Sequence, residues 1–253
     1  MLYFFVFLLL VIIIAPALVI IPQSFTSLNY FFYPIKSFSL KWYDKFFMNE
    51  QWITSLERSL FIAICVAVFA TIIGTLAALA VNKLKFKGKN LFLNLMLTPM
   101  IVPVVITGVA LYASFAKVGL NNTILGLIMA HSLLAIPMVF LTMSAAFARF
   151  DANLELAAMS MGSTPVGAFF KVTLPGVKNS VVTGALLSFV TSLDEVVVTI
   201  FVSGANTKTL PMMIWENLRA TIDPTIAVAA TFLIILTLGM YVIKEFIESR
   251  SKD

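Results

Sequence analysis

The chain has 253 residues, of which 60% are hydrophobic and only 11% charged, with a formal net charge of +5. Soluble chains carry about 25% charged residues, so this composition excludes a soluble globular domain and points to an integral membrane protein. A transmembrane β-barrel is excluded too, because its roughly ten-residue segments would alternate and the apolar runs here do not.

Six runs are long enough to cross about 30 Å of hydrocarbon as helices. They lie near residues 2–22, 57–81, 91–116, 123–145, 181–203 and 225–247. The expected fold class is therefore an all-α integral membrane protein with six transmembrane helices in one domain, residues 1–253. The first run starts at Met1 without a basic n-region and lacks a small-x-small site before Pro22, so it is read as a retained helix and not a cleaved signal peptide.

The longest outward connection, from about Gln23 to Glu50, mixes Tyr30, Phe31, Phe32, Tyr33, Trp42, Tyr43, Phe46 and Phe47 with Lys36, Lys41 and Lys45. This suits an aromatic belt at the headgroups, with contact to an external partner as the competing reading. The sole cysteine, Cys65, lies in the second run; it reads as a small buried residue and allows no intramolecular disulfide or paired-cysteine metal site. Lys83, Lys85, Lys87 and Lys89 crowd the next connection, which retention of positive charge places on the cytoplasmic side. Parity then puts Arg149, Lys171 and Lys178, the tail with Lys244, Arg250 and Lys252, and both termini in the cytoplasm. Basic flanks facing membrane lipid account for much of the net charge, so no nucleic-acid partner is needed. In the third run Pro99 and Pro103 each remove a backbone donor, so a kinked helix packed in the bundle interior is expected.

The connection at about 149–179 is too elaborate for a plain turn. Glu155-Leu156-Ala157-Ala158 is followed by Gly162 and, after nine further residues, by Val172-Thr173-Leu174-Pro175. Ala157, Ala158 and Gly162 permit close approach of a partner, Glu155 caps or pairs at the contact, and Pro165 and Pro175 fix where helical pieces end. The alternative is an amphipathic linker lying on the membrane.

Asp194 and Glu195 stand side by side inside the fifth run, where each ionised acid costs about 2.5 to 3.5 kcal/mol on insertion scales. On a continuous helix they differ by about 100° in direction, so at most one points squarely into a narrow pathway while the other faces a neighbouring helix or a second cavity wall. Ser188 and Thr191 extend a polar stripe from Asp194, and Thr199 extends one from Glu195. A hydroxyl-lined anionic pathway for a cation fits; so do structural pairing at a helix break and a proton relay. His131, the sole histidine, reads as an interhelical hydrogen-bonding group. No triad, metal ligand set or paired catalytic acid outside the membrane is available, so enzyme readings are weak.

The Glu155 to Pro175 spacing resembles the "EAA" loop of ABC importer permeases, with Leu156 and Val172 where the family usually has Ala and Ile. Leu187 to Gly204, Thr209-Leu210-Pro211 and Pro224 to Ala227 resemble the second permease of spermidine/putrescine-type importers. The resemblance covers roughly residues 55–247. It implies a type I ABC importer permease whose EAA-type loop is a cytoplasmic coupling helix seated on an ATPase, through Glu155, Ala157, Ala158, Gly162, Leu174 and Pro175. The substrate pathway would hold Asp194, Glu195, Ser188, Thr191 and Thr199.

The implied partners are a homologous permease, two ATP-binding cassette subunits and an external solute-binding protein, in a bacterial inner membrane. This chain lacks the Gly-x4-Gly-Lys-Ser/Thr phosphate cradle, so ATP and Mg belong to the ATPase and no cofactor or metal is expected here. The implied cargo is a polyamine, which aromatic faces and carboxylates would suit. Relatives of this kind carry iron, thiamine or phosphonates, and a stand-alone channel or proton-coupled carrier is the rival from another class.

Overall fold

The computed structural model describes residues 2–220 and 222–249, so Arg250 and Lys252 lie outside the described residues. Among them the secondary structure is helical, with one isolated bridge between Thr26 and Phe38. The helices are α1 (Leu2–Gln23), α2 (Lys41–Met48), α3 (Glu50–Lys83), α4 (Lys89–Ile101), α5 (Val104–Val118), α6 (Ile124–Arg149), α7 (Ala152–Ser160), α8 (Pro165–Ala168), α9 (Leu174–Gly176), α10 (Lys178–Leu193), α11 (Val197–Val202), α12 (Leu210–Ala220) and α13 (Thr225–Ser249). A π-turn, Phe169–Thr173, joins α8 to α9.

Among the described residues, four helices are long and apolar enough to cross a membrane unbroken: α1, α3, α6 and α13. The other two runs are interrupted. The expected span at 91–116 is not one kinked helix, because α4 ends at Ile101, α5 restarts at Val104, and the two differ in direction by 105°. Pro103 has no N–H to continue the ladder and holds the preceding Val102 extended, at ψ 129°. The run at 181–203 gives a helix of 16 residues and one of six, separated at Asp194 to Val196. Six crossings are compatible with this arrangement but two of them would be broken.

The chain divides into two compact units. One comprises residues 1–59 and 207–240. Its core joins Trp42 and Phe46 of α2 and Trp52 of α3 to Leu210, Met213, Ile226, Val228 and Ala229. The segment expected to be an interfacial aromatic belt is thus corrected. Lys41–Met48 is an amphipathic helix that buries Trp42 and Phe46 one turn apart, and Phe46 stacks on Phe232. Tyr30 and Tyr33 stay exposed, as the belt requires. Polar ties complete the unit: Leu210 N–H donates to Ser59 Oγ at 2.7 Å, Arg58 donates to the Lys208 carbonyl at 2.7 Å, and Lys45 pairs with Asp223 at 2.6 Å.

The other unit comprises residues 60–206 and 241–253. Its post is α6, which buries Leu127, Ala130, Ala135, Val139, Phe140, Met143 and Phe147. Lipid supplies little hydrophobic drive between helices, so close approach through small residues carries the packing. Val139 shows how: a Cβ added at Gly74 of α3 would lie 2.6 Å from Val139 Cβ, and one at Gly184 of α10 would lie 3.3 Å from Val139 Cγ1. Gly74→Ala should therefore lower the thermal-unfolding midpoint of the purified protein through overpacking of about 1–3 kcal/mol. Val139→Ala in the same chain should not recover that loss, because alanine keeps the Cβ that the added methyl meets at 2.6 Å.

Candidate functional site: a broken helix and a docking loop

Leu193 is the last residue of α10, and α11 does not begin until Val197. The two acids therefore do not share a helix, and the 100° relation expected of them does not apply. Glu195 turns back on the chain: its Oε1 accepts the Val198 N–H at 2.7 Å. That carboxylate fills an orphan donor at the start of α11, where the helix dipole also favours negative charge. Asp194 caps the end of α10, its backbone N–H donating to the Val190 carbonyl at 3.0 Å; the residue is exposed, and its carboxylate makes no hydrogen bond or ion pair among the described residues. The negative end of α10 adds to its field, so this point of the break favours a cation.

The hydroxyls expected to line the pathway are mostly committed elsewhere. Ser188 is fully buried and donates to the Gly184 carbonyl at 2.8 Å. Thr191, half-buried, donates to the Leu187 carbonyl at 2.8 Å. Thr199 is fully buried, donates to the Glu195 carbonyl at 2.9 Å and meets His131 Nε2 at 2.9 Å. On the other side of the same ring, His131 Nδ1 meets Ser192 Oγ at 2.9 Å. The interhelical role expected of His131 is thus double, since one ring on α6 reaches both α10 and α11.

In the 149–179 loop, α7 is capped by Asp151, whose side chain accepts the Asn153 N–H at 2.9 Å. It ends at Ser160, and Gly162, just past the Met161 cap, has a φ of 92°, a backbone conformation open to glycine and costly to most other residues. Pro165 does not end a helical piece as expected. It stands at the first position of α8, where its missing N–H costs nothing, after a Thr164 cap that accepts the Gly167 N–H at 3.1 Å. Pro175 likewise stands near the start of α9.

Glu155 points into its own subunit. It pairs with Lys83 at the end of α3 and accepts the hydroxyl of Thr173 at 2.7 Å. The π-turn brings Thr173 to that place fully buried, the kind of helix irregularity that recurs at functional positions. Ala158 is buried as well, while Ala157, Gly162 and Pro175 are exposed and Leu174 is half-buried. The outer surface of the loop is instead apolar: Leu154, Leu156, Met161, Val166 and Phe170 are each more than half exposed. Sequence reading did not single out these side chains as contacts, nor Lys83 and Thr173 as partners of Glu155. Thr173 sits inside the Val172 to Pro175 motif, which was the available signal.

A family model described as the binding-protein-dependent transport system inner membrane component matches residues 70–253. The chain belongs to that family. As one of its members it is a transport component, with ATP hydrolysis in a separate subunit of these importers. It is 33% identical to the spermidine/putrescine transport system permease protein PotC of Haemophilus influenzae, over 93% of this chain and 91% of that protein. It is 32% identical to the putrescine transport system permease protein PotI of Escherichia coli K12, over 87% and 80%. In fold it resembles a chain of a bacterial ABC transporter that imports the acidic polysaccharide alginate, with TM-score 0.78 at 15% identity over 96% and 93%. A chain of the MetNI methionine ABC transporter gives TM-score 0.60 at 18% identity over 79% and 97%.

Partial burial pushes the Glu155 carboxyl up, but the Lys83 ammonium and the Thr173 hydroxyl outweigh it and hold the group below its ordinary 4.5. A depressed folded value means that the pairing contributes fully at neutral pH and is lost as pH falls through that value. Difference infrared spectra between wild type and Glu155→Gln should show the carboxylate persisting below pH 4.5. Lys83→Met should move its protonation upward, and an unmoved titration would remove Lys83 as the cause.

Proposed function

We propose that this chain is the membrane-spanning permease subunit of an ABC importer for a small polycation of the polyamine class, spermidine or putrescine. The exposed, unpartnered carboxylate of Asp194 at a helix break carries this reading, in a chain whose curated relatives include polyamine permeases. A flexible polycation can exchange water for this carboxylate and the carbonyl end of α10. A single acid holds it weakly enough for release, as conduction through a site requires. Glu195 serves the cargo indirectly, by capping the half-helix that follows.

The subunit works beside a homologous permease, receives cargo from an external solute-binding protein and is driven by two ATPase subunits that hold ATP and Mg. The ATPase docks on the apolar outer surface of the 149–179 loop. Glu155 then acts as a strut, because its pairing with Lys83 carries displacement of α7 to the end of α3. Ala158 and Thr173 seat the loop from within, and Ala157, Gly162, Leu174 and Pro175 shape its outer contour. One domain spans 1–253 by this reading, and its two compact units are parts of it.

Both termini lie in the cytoplasm. Two contacts support the topology. The Lys83–Glu155 pair requires the end of α3 and α7 to share one side of the bilayer, so α4 with α5 must cross opposite to α6. Asn122, between α5 and α6, donates its N–H to the Val202 carbonyl at 2.9 Å. The far end of α11 therefore belongs to the other side, and α10 with α11 crosses as well.

The test is uptake of labelled spermidine by the reconstituted complex with its binding protein and ATPase. Excess putrescine should compete, whereas thiamine, ferric iron and a phosphonate should not. Asp194→Asn should lower spermidine uptake roughly 10-fold or more, the scale of one lost charge-assisted contact, with subunit abundance unchanged. Wild-type uptake by that variant, or competition only by the other solutes, would sink the polyamine reading. Glu155→Arg should leave ATP hydrolysis running without uptake; normal ATP-driven uptake would remove the strut.

A further inference from the structure

The break between α10 and α11 is spanned by one side chain from outside both helices. His131, on α6, is buried to 1% exposure. Its Nδ1 lies 2.9 Å from Ser192 Oγ, two residues before Asp194, and its Nε2 lies 2.9 Å from Thr199 Oγ1, four residues after Glu195. A hydroxyl has one hydrogen to give, and that of Thr199 goes to the Glu195 carbonyl at 2.9 Å. Thr199 must therefore accept from the ring, so Nε2 carries the proton. A neutral ring then takes the Ser192 hydroxyl hydrogen at Nδ1, and both nitrogens are satisfied. The ring is a rigid plate with one donor and one acceptor on opposite edges, which fixes the separation of the two half-helices and not merely their proximity to α6.

We infer that His131 is a positioning residue for transport: it holds the last turn of α10 and the first turn of α11 at the separation that leaves Asp194 exposed and Glu195 free to cap Val198. It touches no cargo. It acts through the backbone at 194–196, whose released polar groups are tolerated at this depth only where protein or a water-filled cavity receives them. Three hydrogen bonds converge within this short stretch: His131 to Ser192, His131 to Thr199, and Glu195 to Val198. Loss of the ring loosens the break at both edges, so that Asp194 meets cargo in a spread of geometries.

This inference rests on the reading that Asp194 meets the cargo, and its test separates the two. Amide hydrogen exchange over residues 190–203 is followed in the full-length chain purified with its co-purifying partners in nanodiscs, for wild type, His131→Leu, His131→Gln and Asp194→Asn. His131→Leu should speed exchange in that segment roughly 10-fold, the scale of one or two net hydrogen bonds. Glutamine, which keeps a donor and an acceptor, should restore most of the protection. Asp194→Asn should leave exchange unchanged. Ser192→Ala with Thr199→Val should reproduce the effect, and adding His131→Leu to that pair should change little further.

In uptake, His131→Leu should raise KM for spermidine about tenfold while the maximal rate stays within about twofold, and His131→Gln should restore KM. Unchanged exchange over 190–203 in His131→Leu, or exchange rising equally along all of α6, would overturn the positioning role. So would an unchanged KM at equal abundance. If exchange responds as described but Asp194→Asn transports normally, the clamp stands and the cargo assignment for Asp194 fails.

Discussion

A helix that breaks at membrane depth leaves backbone donors and acceptors without water to satisfy them, and each unsatisfied group costs several kcal/mol there. The organisation around Asp194 follows from how that constraint is met. Glu195 supplies the acceptor that Val198 N–H lacks, Thr199 returns its hydroxyl to the Glu195 carbonyl, and His131 binds the hydroxyls on either side. With those groups satisfied inside the protein, the carboxylate left over is Asp194. The break is thus a device with three internal ties and one free charge, and α6 is rigid enough to hold it because Val139 is gripped between Gly74 and Gly184.

The 149–179 loop follows a related logic at the other end of α10. A signal from an ATPase needs a path into the transmembrane helices, and a loop that only presented contact residues outward would not provide one. Here the acid of the loop points inward to Lys83 and Thr173, while leucine, methionine, valine and phenylalanine side chains point outward. Apolar anchors suit a surface that a partner covers, and an internal ion pair suits a strut. The contact that sequence reading expected of Glu155 is thus left to the apolar outer face, while Glu155 itself faces inward.

The resemblance to polyamine permeases and the electrostatics of the break support each other, but they do so through different residues than periodicity suggested. Ser188 and Thr199 are buried and bonded within the bundle, so they do not form an open hydroxyl stripe running from the acids. A single acid at the carbonyl end of a helix is a weaker site, and a transporter that must release its cargo is served by weakness.

Composition alone determined that this chain lives in a bilayer, because nothing with so few charges stays soluble, and run length determined where helices could cross. The Glu155 to Pro175 loop was legible only in part, since local turn chemistry is written in neighbouring residues but its direction is not: a breaker was expected at Pro165, and Thr164 and Pro165 instead open a helix. What hydropathy could not show was discontinuity. A run such as 181–203 reads as one helix because the apolar residues on both sides of Asp194 score alike, and likewise α2 read as interfacial because its aromatic residues suit lipid headgroups and a protein core equally. Only the tertiary structure decided that Glu195 is a cap and Asp194 is free. The donor that Glu195 meets exists only once the chain has broken, and the ring that holds the break comes from more than sixty residues away.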